Sequence, residues 1–203
     1  MRASRRTQEE RRNEAEKRLL AAAAELIGEV GPSAVTLANI GERAGYSRGL
    51  ATHHFGSKGA MMQRLVDSVT ARFRDEVFAE SASDAVLDQA LGLVRAYFFE
   101  LAHPRPANRA RLVLWADAVA TGAPDVRAAM LASDRTFRDE LAKRIERGVS
   151  TGEIAAQVDP GAVATVIIGM LRGVALQAML DDDIDLDACR AEVELVLAKR
   201  ILP

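Results

Sequence analysis

Between Thr36 and Lys58 the chain reads TLANIGERAGYSRGLATHHFGSK, a run that fits two short helices joined by a tight turn. Thr36 suits a helix N-cap, where its hydroxyl accepts a first-turn amide that has no partner within the helix. Leu37, Ile40 and Ala44 then recur at helical spacing. Gly45 can take the left-handed conformation that ends a helix, and Ser47, shortly after it, is again an N-cap type. The spacing predicts a second helix from Ser47 to His54. Its Arg48, Thr52, His53 and His54 can all donate to phosphates or base edges, and Gly49 lets a surface approach the backbone. Phe55 is expected to anchor this helix in a small core. Gly41, placed inside the first helix at about 1 kcal/mol relative to alanine, is expected to mark a close approach of two helices.

The rest of the chain is helical by composition and period. Ala and Leu outnumber β-branched and aromatic residues, and no run alternates polar and apolar residues between turn signals. A chain of 203 residues with 49% hydrophobic content can bury one large core or two small ones. Leu19, Ala22, Ala23, Leu26, Ile27 and Val30 form one stripe on a helix from Asn13 to Val30, stopped by Gly31 and Pro32. Gly56 and Ser57 read as a turn and cap before a long helix from Lys58 to Phe78. Further helices are predicted over 84–101 (Leu87, Leu91, Val94, Phe98, Leu101), 108–120, 124–151, 160–180 and 186–202, about nine in all. The helix after Asp159-Pro160 carries Val163, Val166, Ile167, Met170, Leu171, Val174 and Met179, so it is apolar over more than one face.

Charge separates the ends. The net charge is only −2, which excludes a generic polyanion binder, but residues 1–60 hold ten Lys or Arg against seven Asp or Glu. Residues 1–12, with Arg2, Arg5, Arg6, Arg11 and Arg12 and no apolar period, read as a flexible basic arm. Such an arm is either a tether that follows nucleic-acid phosphates or a solvated tail. Lys58, an amine at a helix N-terminus, is either relieved by a phosphate oxygen or is a plain surface lysine. Cys189 is the only cysteine, which excludes an intramolecular disulfide and suits a reduced, cytoplasmic setting. The apolar run Leu19–Ala24 is shorter than the ~7 residues a signal peptide needs. Ala162–Leu171 is shorter than the ~20 that span a bilayer, so no membrane association is expected.

Three constellations carry no chemistry. Glu100 and His103 have di-iron spacing, but three histidines in the chain leave no second copy of the motif. The aspartates at 181, 183, 185 and 187 lack the glycine a calcium loop needs at its sixth position. His53 and His54 point about 100° apart on a helix. Neither a catalytic set nor a phosphate loop is present, so no enzyme activity, metal or cofactor is expected.

The run AGYSRGLATHHFGSK resembles the signature of the TetR family of transcriptional regulators, in which Ala-Gly-x-Ser-Lys/Arg-Gly leads to aromatic or His residues and then Phe-x-Ser-Lys. The resemblance implies an all-α chain with a three-helix helix-turn-helix domain over 13–57 and a ligand-binding and dimerisation bundle over 58–203. It implies a homodimeric, cytoplasmic repressor, released from a palindromic double-stranded DNA operator by a small-molecule effector. Thr36, Ser47, His53, His54 and Lys58 would hold phosphates, and Arg48, Leu50 and Thr52 would face bases, with Gly49 allowing close approach. The family usually has Tyr where this chain has Thr52, and often where it has His54. In the family the last two helices pair with a partner's, which points to Val163, Ile167, Met170, Leu171, Val174, Val193, Val196 and Leu197 as interface; the alternative is a monomer with buried terminal helices. Phe98, Trp115, Met130, Asp134 and Phe137 are the effector-pocket candidates, or else an ordinary filled core. An activator of the same build, or an all-helical small-molecule binder or enzyme without a DNA role, are the competing functions.

Overall fold

The computed structural model describes residues 7–79, 85–120 and 122–201, apart from the side chains of Ala79 and Ile201. Arg2, Arg5 and Arg6 of the expected arm, and Asp84 and Leu202 at two expected helix ends, lie outside them. Among the described residues there is no strand and there are nine helices: α1 Gln8–Ala34, α2 Leu37–Arg43, α3 Leu50–Phe55, α4 Lys58–Ala79, α5 Val86–Ala102, α6 Pro106–Ala120, α7 Pro124–Thr151, α8 Pro160–Ala178 and α9 Leu186–Ile201. The all-α class and the helix count agree with the sequence pattern.

Several helix ends follow from single residues. Thr7 and Glu10 form a reciprocal capping box, Thr7 Oγ1 accepting from Glu10 N at 3.1 Å and Glu10 Oε2 from Thr7 N at 2.7 Å. Arg11 and Arg12 are therefore helical, and the arm expected to reach residue 12 gives way to α1 at Gln8. At the other end Gly31, at φ 75°, breaks α1 before a last turn that contains Pro32. Asp159 caps α8 by accepting from Ala162 N at 2.9 Å, with Pro160 next to it. The N-cap of α5, Ala85, has no capping side chain. Glu153 supplies one from 67 residues away, accepting from Val86 N at 2.8 Å.

The chain forms two compact units. One gathers the chain up to Val69 together with Arg109–Met130; the other gathers Thr70–Asn108 with the chain from Leu131 on. The division between them falls inside α4, which is one uninterrupted helix. In the first unit α1 buries Leu19, Ala22, Ala23, Leu26 and Ile27, and α2 packs on α1 and on α3. Arg43 of α2 binds Glu29 through two N–H groups at 2.8 and 2.7 Å and reaches Glu25 at 3.3 Å. The hydrogen bond from Arg43 holds the Glu29 carboxyl below the usual carboxylate range.

In the second unit α5 packs on α8 and α9. Its buried seam is Val86, Ala90, Leu93, Val94, Tyr97 and Phe98, while Leu87 and Leu91 of the expected stripe are only half-buried. Glu100 is buried but satisfied, accepting from Arg105 and Asn108, and Arg105 also donates to Glu76 of α4 at 3.0 Å. His103 turns its Nδ1 to Phe99 O at 3.0 Å. Among the described residues no group of His, Cys, Asp and Glu is disposed to hold a metal. By length and composition α8, with a mean hydropathy of 1.6, could cross a membrane, because the helix is longer than the uncharged run within it. Arg172 in its middle binds Asp134 of α7.

Candidate nucleic-acid interface

The turn between α2 and α3 is fixed from several sides. Gly45, at φ 77°, donates to Glu42 O at 3.0 Å, and Tyr46 N donates to Gly41 O at 2.9 Å. A Cβ on Gly41 would lie 2.6 Å from the carbonyl oxygen of Ser47. Gly41 thus marks a close approach, but to the backbone of the turn and not to a second helix. Arg18 of α1 covers the Tyr46 ring at 5.0 Å from its centroid, a cation–π contact that closes the outside of the turn.

Helix α3 starts later than the sequence suggests. Ser47 does not cap it: Leu50 N donates to Ser47 O at 3.0 Å, Arg48 and Gly49 form a turn, and Gly49 stands at the N-cap without a side-chain bond. The Ser-x-Gly run favours a tight turn over a helical first turn, since Gly49 loses more backbone freedom in a helix than other residues. Ala51 is fully buried and holds α3 to the body, whereas Phe55, the expected anchor, is half-buried. Only a small side chain at Ala51 lets so short a helix lie this close.

This places the predicted residues as follows. Thr36, Ser47, Arg48, Gly49, Thr52 and His53 are exposed, and Leu50 is half-buried. The Thr36 hydroxyl is used as a cap, accepting from Asn39 N at 3.2 Å. Arg48, 74% exposed, pairs with Glu42 at 2.7 Å. Two residues expected at the surface are engaged elsewhere. The His54 side chain is 9% exposed and its Nε2 lies 3.2 Å from Glu16 Oε2. Lys58 Nζ donates to Ser33 O at 3.1 Å, where the end of α1 leaves carbonyls without helical partners and favours a cation. Spacing alone points both at phosphates, because it does not give a donor's direction. Glu16, Arg64, Arg18 and Glu42 were missed, and only their i, i+3 or i, i+4 place on the turn-facing side of a helix could have signalled them.

The other predicted sets divide. Val163, Ile167, Leu171, Val193 and Leu197 are buried in the chain's own core, so they are corrected from interface to core. Met170 and Val174 are half-buried and Val196 is 49% exposed; beside them Val166 is 58% and Leu195 46% exposed, and a Cβ on Gly169 or Gly173 would meet nothing. An apolar helix shows two stripes to the eye, and only packing decides which one faces inward. Of the effector candidates, Trp115 and Met130 belong to the first unit, and Phe98, Asp134 and Phe137 to the second. Asp134 is bound by Arg172 and Phe98 is core. The rings gathered around Phe137 are Phe78 at 5.1 Å and Phe73 at 6.1 Å, with Tyr97 edge-on to Phe73 at 5.2 Å.

Comparison with solved structures agrees with this fold. SmeT in complex with triclosan has a TM-score of 0.80 at 22% identity, over 94% of this chain and 92% of its own. A transcriptional regulator from Saccharomonospora viridis in complex with choline has a TM-score of 0.80 at 20% identity, over 94% and 99%. The HTH-type transcriptional regulators BetI of Klebsiella pneumoniae (strain 342) and Escherichia coli (strain K12 / DH10B) are each 30% identical over 106 residues. That match covers 51% of this chain and 54% of theirs, so the chain spans about half the length of these relatives. Bacterial regulatory proteins of the tetR family match residues 19–65, and the C-terminal region of BetI-type transcriptional repressors matches residues 86–201. The chain therefore belongs to the TetR family of transcriptional regulators, non-enzymes with a helix-turn-helix DNA-binding domain, and carries a BetI-type C-terminal region.

Proposed function

We propose that the chain is a cytoplasmic, homodimeric repressor that grips a palindromic operator with two copies of α3 and lets go when a small molecule binds. The observation that carries this is the display of Arg48, Thr52 and His53 around one short helix whose Ala51 is buried. Arg48 to guanine is the base contact, Thr52 and Leu50 line the groove, and Ser47, His53 and the exposed part of Thr36 lie against phosphates. A two-fold axis puts the half-sites about one helical turn apart. The BetI-type match supports repression, and the open face of Val166, Met170, Val174, Leu195 and Val196 supports pairing with a second copy.

The ligands of the solved neighbours, triclosan and choline, support a small-molecule effector here. Its site is assigned to the second unit, where Phe73, Phe78 and Phe137 offer aromatic surface. The effector must bind the DNA-free form more tightly, and a coupling of about 1–3 kcal/mol is enough. Gel-shift and footprinting with the purified chain test the reading, with a protected palindrome as the expected result. Absence of any footprint on genomic DNA at low salt rejects it.

A further inference from the structure

Glu16 of α1 spends its two carboxylate oxygens on two different helices. Oε2 lies 3.2 Å from His54 Nε2 on α3, and Oε1 lies 2.6 Å from an Arg64 guanidinium nitrogen on α4. The carboxylate and the imidazole are largely shielded, at 20% and 9% exposure, and the arginine is open, at 62%. Asn13 and Lys17 from α1 and Asp67 and Ser68 from α4 line the same groove. Lys17 and Asp67 oppose one another in charge, so Arg64 and His54 are the groups that set the field at Glu16. Burial raises the Glu16 carboxyl, but the bond from His54 and the charge and bond of Arg64 outweigh it, so it stays ionised below the usual carboxylate range.

We propose that Glu16 is a positioning residue for DNA recognition, fastening the far end of α3 to α1 and α4 through His54 and Arg64. The inference rests on the reading of α3 as the DNA-facing helix. With six residues, α3 is far too short to hold its form alone. Ala51 pins its first turn, and Phe55 at its end is only half-buried. His54 is the side chain that fixes the second turn by a directed bond, and a charge-assisted one is about twice as strong as a neutral one. Arg64 keeps the carboxylate from rotating away. His54 thereby acts from beneath the DNA surface, and its ring serves the geometry of Arg48, Thr52 and His53 without touching phosphate.

The test uses the full chain and a duplex that it selects from a random pool. Glu16→Gln and His54→Leu are each expected to weaken binding roughly threefold to tenfold with the slope of log affinity against log salt unchanged, since no phosphate contact is lost. The double variant should lose little more than either single one, as members of one network do. His54→Gln keeps a donor and should recover most of what His54→Leu loses, which separates positioning from a folding defect. In spectra of ring-¹⁵N-labelled histidine, Glu16→Gln should move the His54 Nε2 signal and leave His53 in place. Wild-type affinity in Glu16→Gln, fully additive losses, or a reduced salt slope in His54→Leu would each overturn the inference while Arg48→Ala still loses discrimination at its guanine. If Arg48→Ala is itself without effect, the reading of α3 fails, and this inference fails with it.

Discussion

Gly41→Ala sets two physical effects against each other. In an exposed helix interior, replacing glycine by alanine stabilises by about 1 kcal/mol. Here the new methyl would sit 2.6 Å from Ser47 O, where ordinary contact begins at 3.4 Å. The obstacle is backbone, so no side chain can rotate aside, and the turn must retreat by about 0.8 Å. Forcing a methyl into a filled site costs about 1–3 kcal/mol, so the net change in stability lies between zero and about 2 kcal/mol. The larger effect is on recognition, because Ser47–Gly49 carry Arg48. Loss of one bidentate base contact is worth about 1–3 kcal/mol, so operator affinity should fall about tenfold to a hundredfold. Thermal unfolding and fluorescence anisotropy on the same sample separate the two. A Gly41→Ala protein that is more stable and binds its operator as the wild type does would refute the packing argument.

Other perturbations have defined outcomes. Leu171→Ala empties a fully buried site and should cost about 2–5 kcal/mol in stability, read by denaturant unfolding at fixed protein concentration. Val166→Glu or Val196→Glu should instead leave the fold intact and shift sedimentation towards the monomer; an unchanged dimer would remove that face from the interface. The carboxyls of Glu29, held by Arg43, and Glu153, held by Val86 N–H and Thr151, lie below the ordinary value of 4.5 in the folded chain. Groups so depressed contribute stability above that value and lose it as pH falls through their folded range, so the melting temperature should drop below pH ~4.5. Arg43→Gln, by freeing Glu29, should blunt part of that acid limb, and an identical limb in the variant would contradict the assignment.

What could be read from the sequence was local. Thr36, Gly45, Asp159-Pro160 and Gly31 act on their own neighbours, and the structure follows them. The Thr7–Glu10 box is equally local, and was masked by the arginines around it. Long-range pairings were not legible. Nothing in the spacing of Glu16, His54 and Arg64 says that they meet, and without that meeting His54 looks like a phosphate donor. The same holds for Lys58 and Ser33, 25 residues apart. On α8 the difficulty was of another kind: Ile167 and Val166 are both apolar, and only the packing of α5 and α9 decides that one is core while the other stays open. The aromatic cluster of Phe73, Phe78 and Phe137 depends on which rings of α4 and α7 face each other, a matter of rotation that periodicity leaves undetermined.

The central claim is that Arg48 reads a base on each half of a two-fold operator. It is tested most directly by measuring the affinity of wild-type protein and Arg48→Ala for a full set of single-base variants of the selected duplex at fixed salt. The account predicts a palindromic preference in which Arg48→Ala loses discrimination at one guanine per half-site, by about 1–3 kcal/mol, and keeps it elsewhere. A loss of equal size at every position would make Arg48 a phosphate contact, and a preference without two-fold symmetry would contradict the paired use of α3.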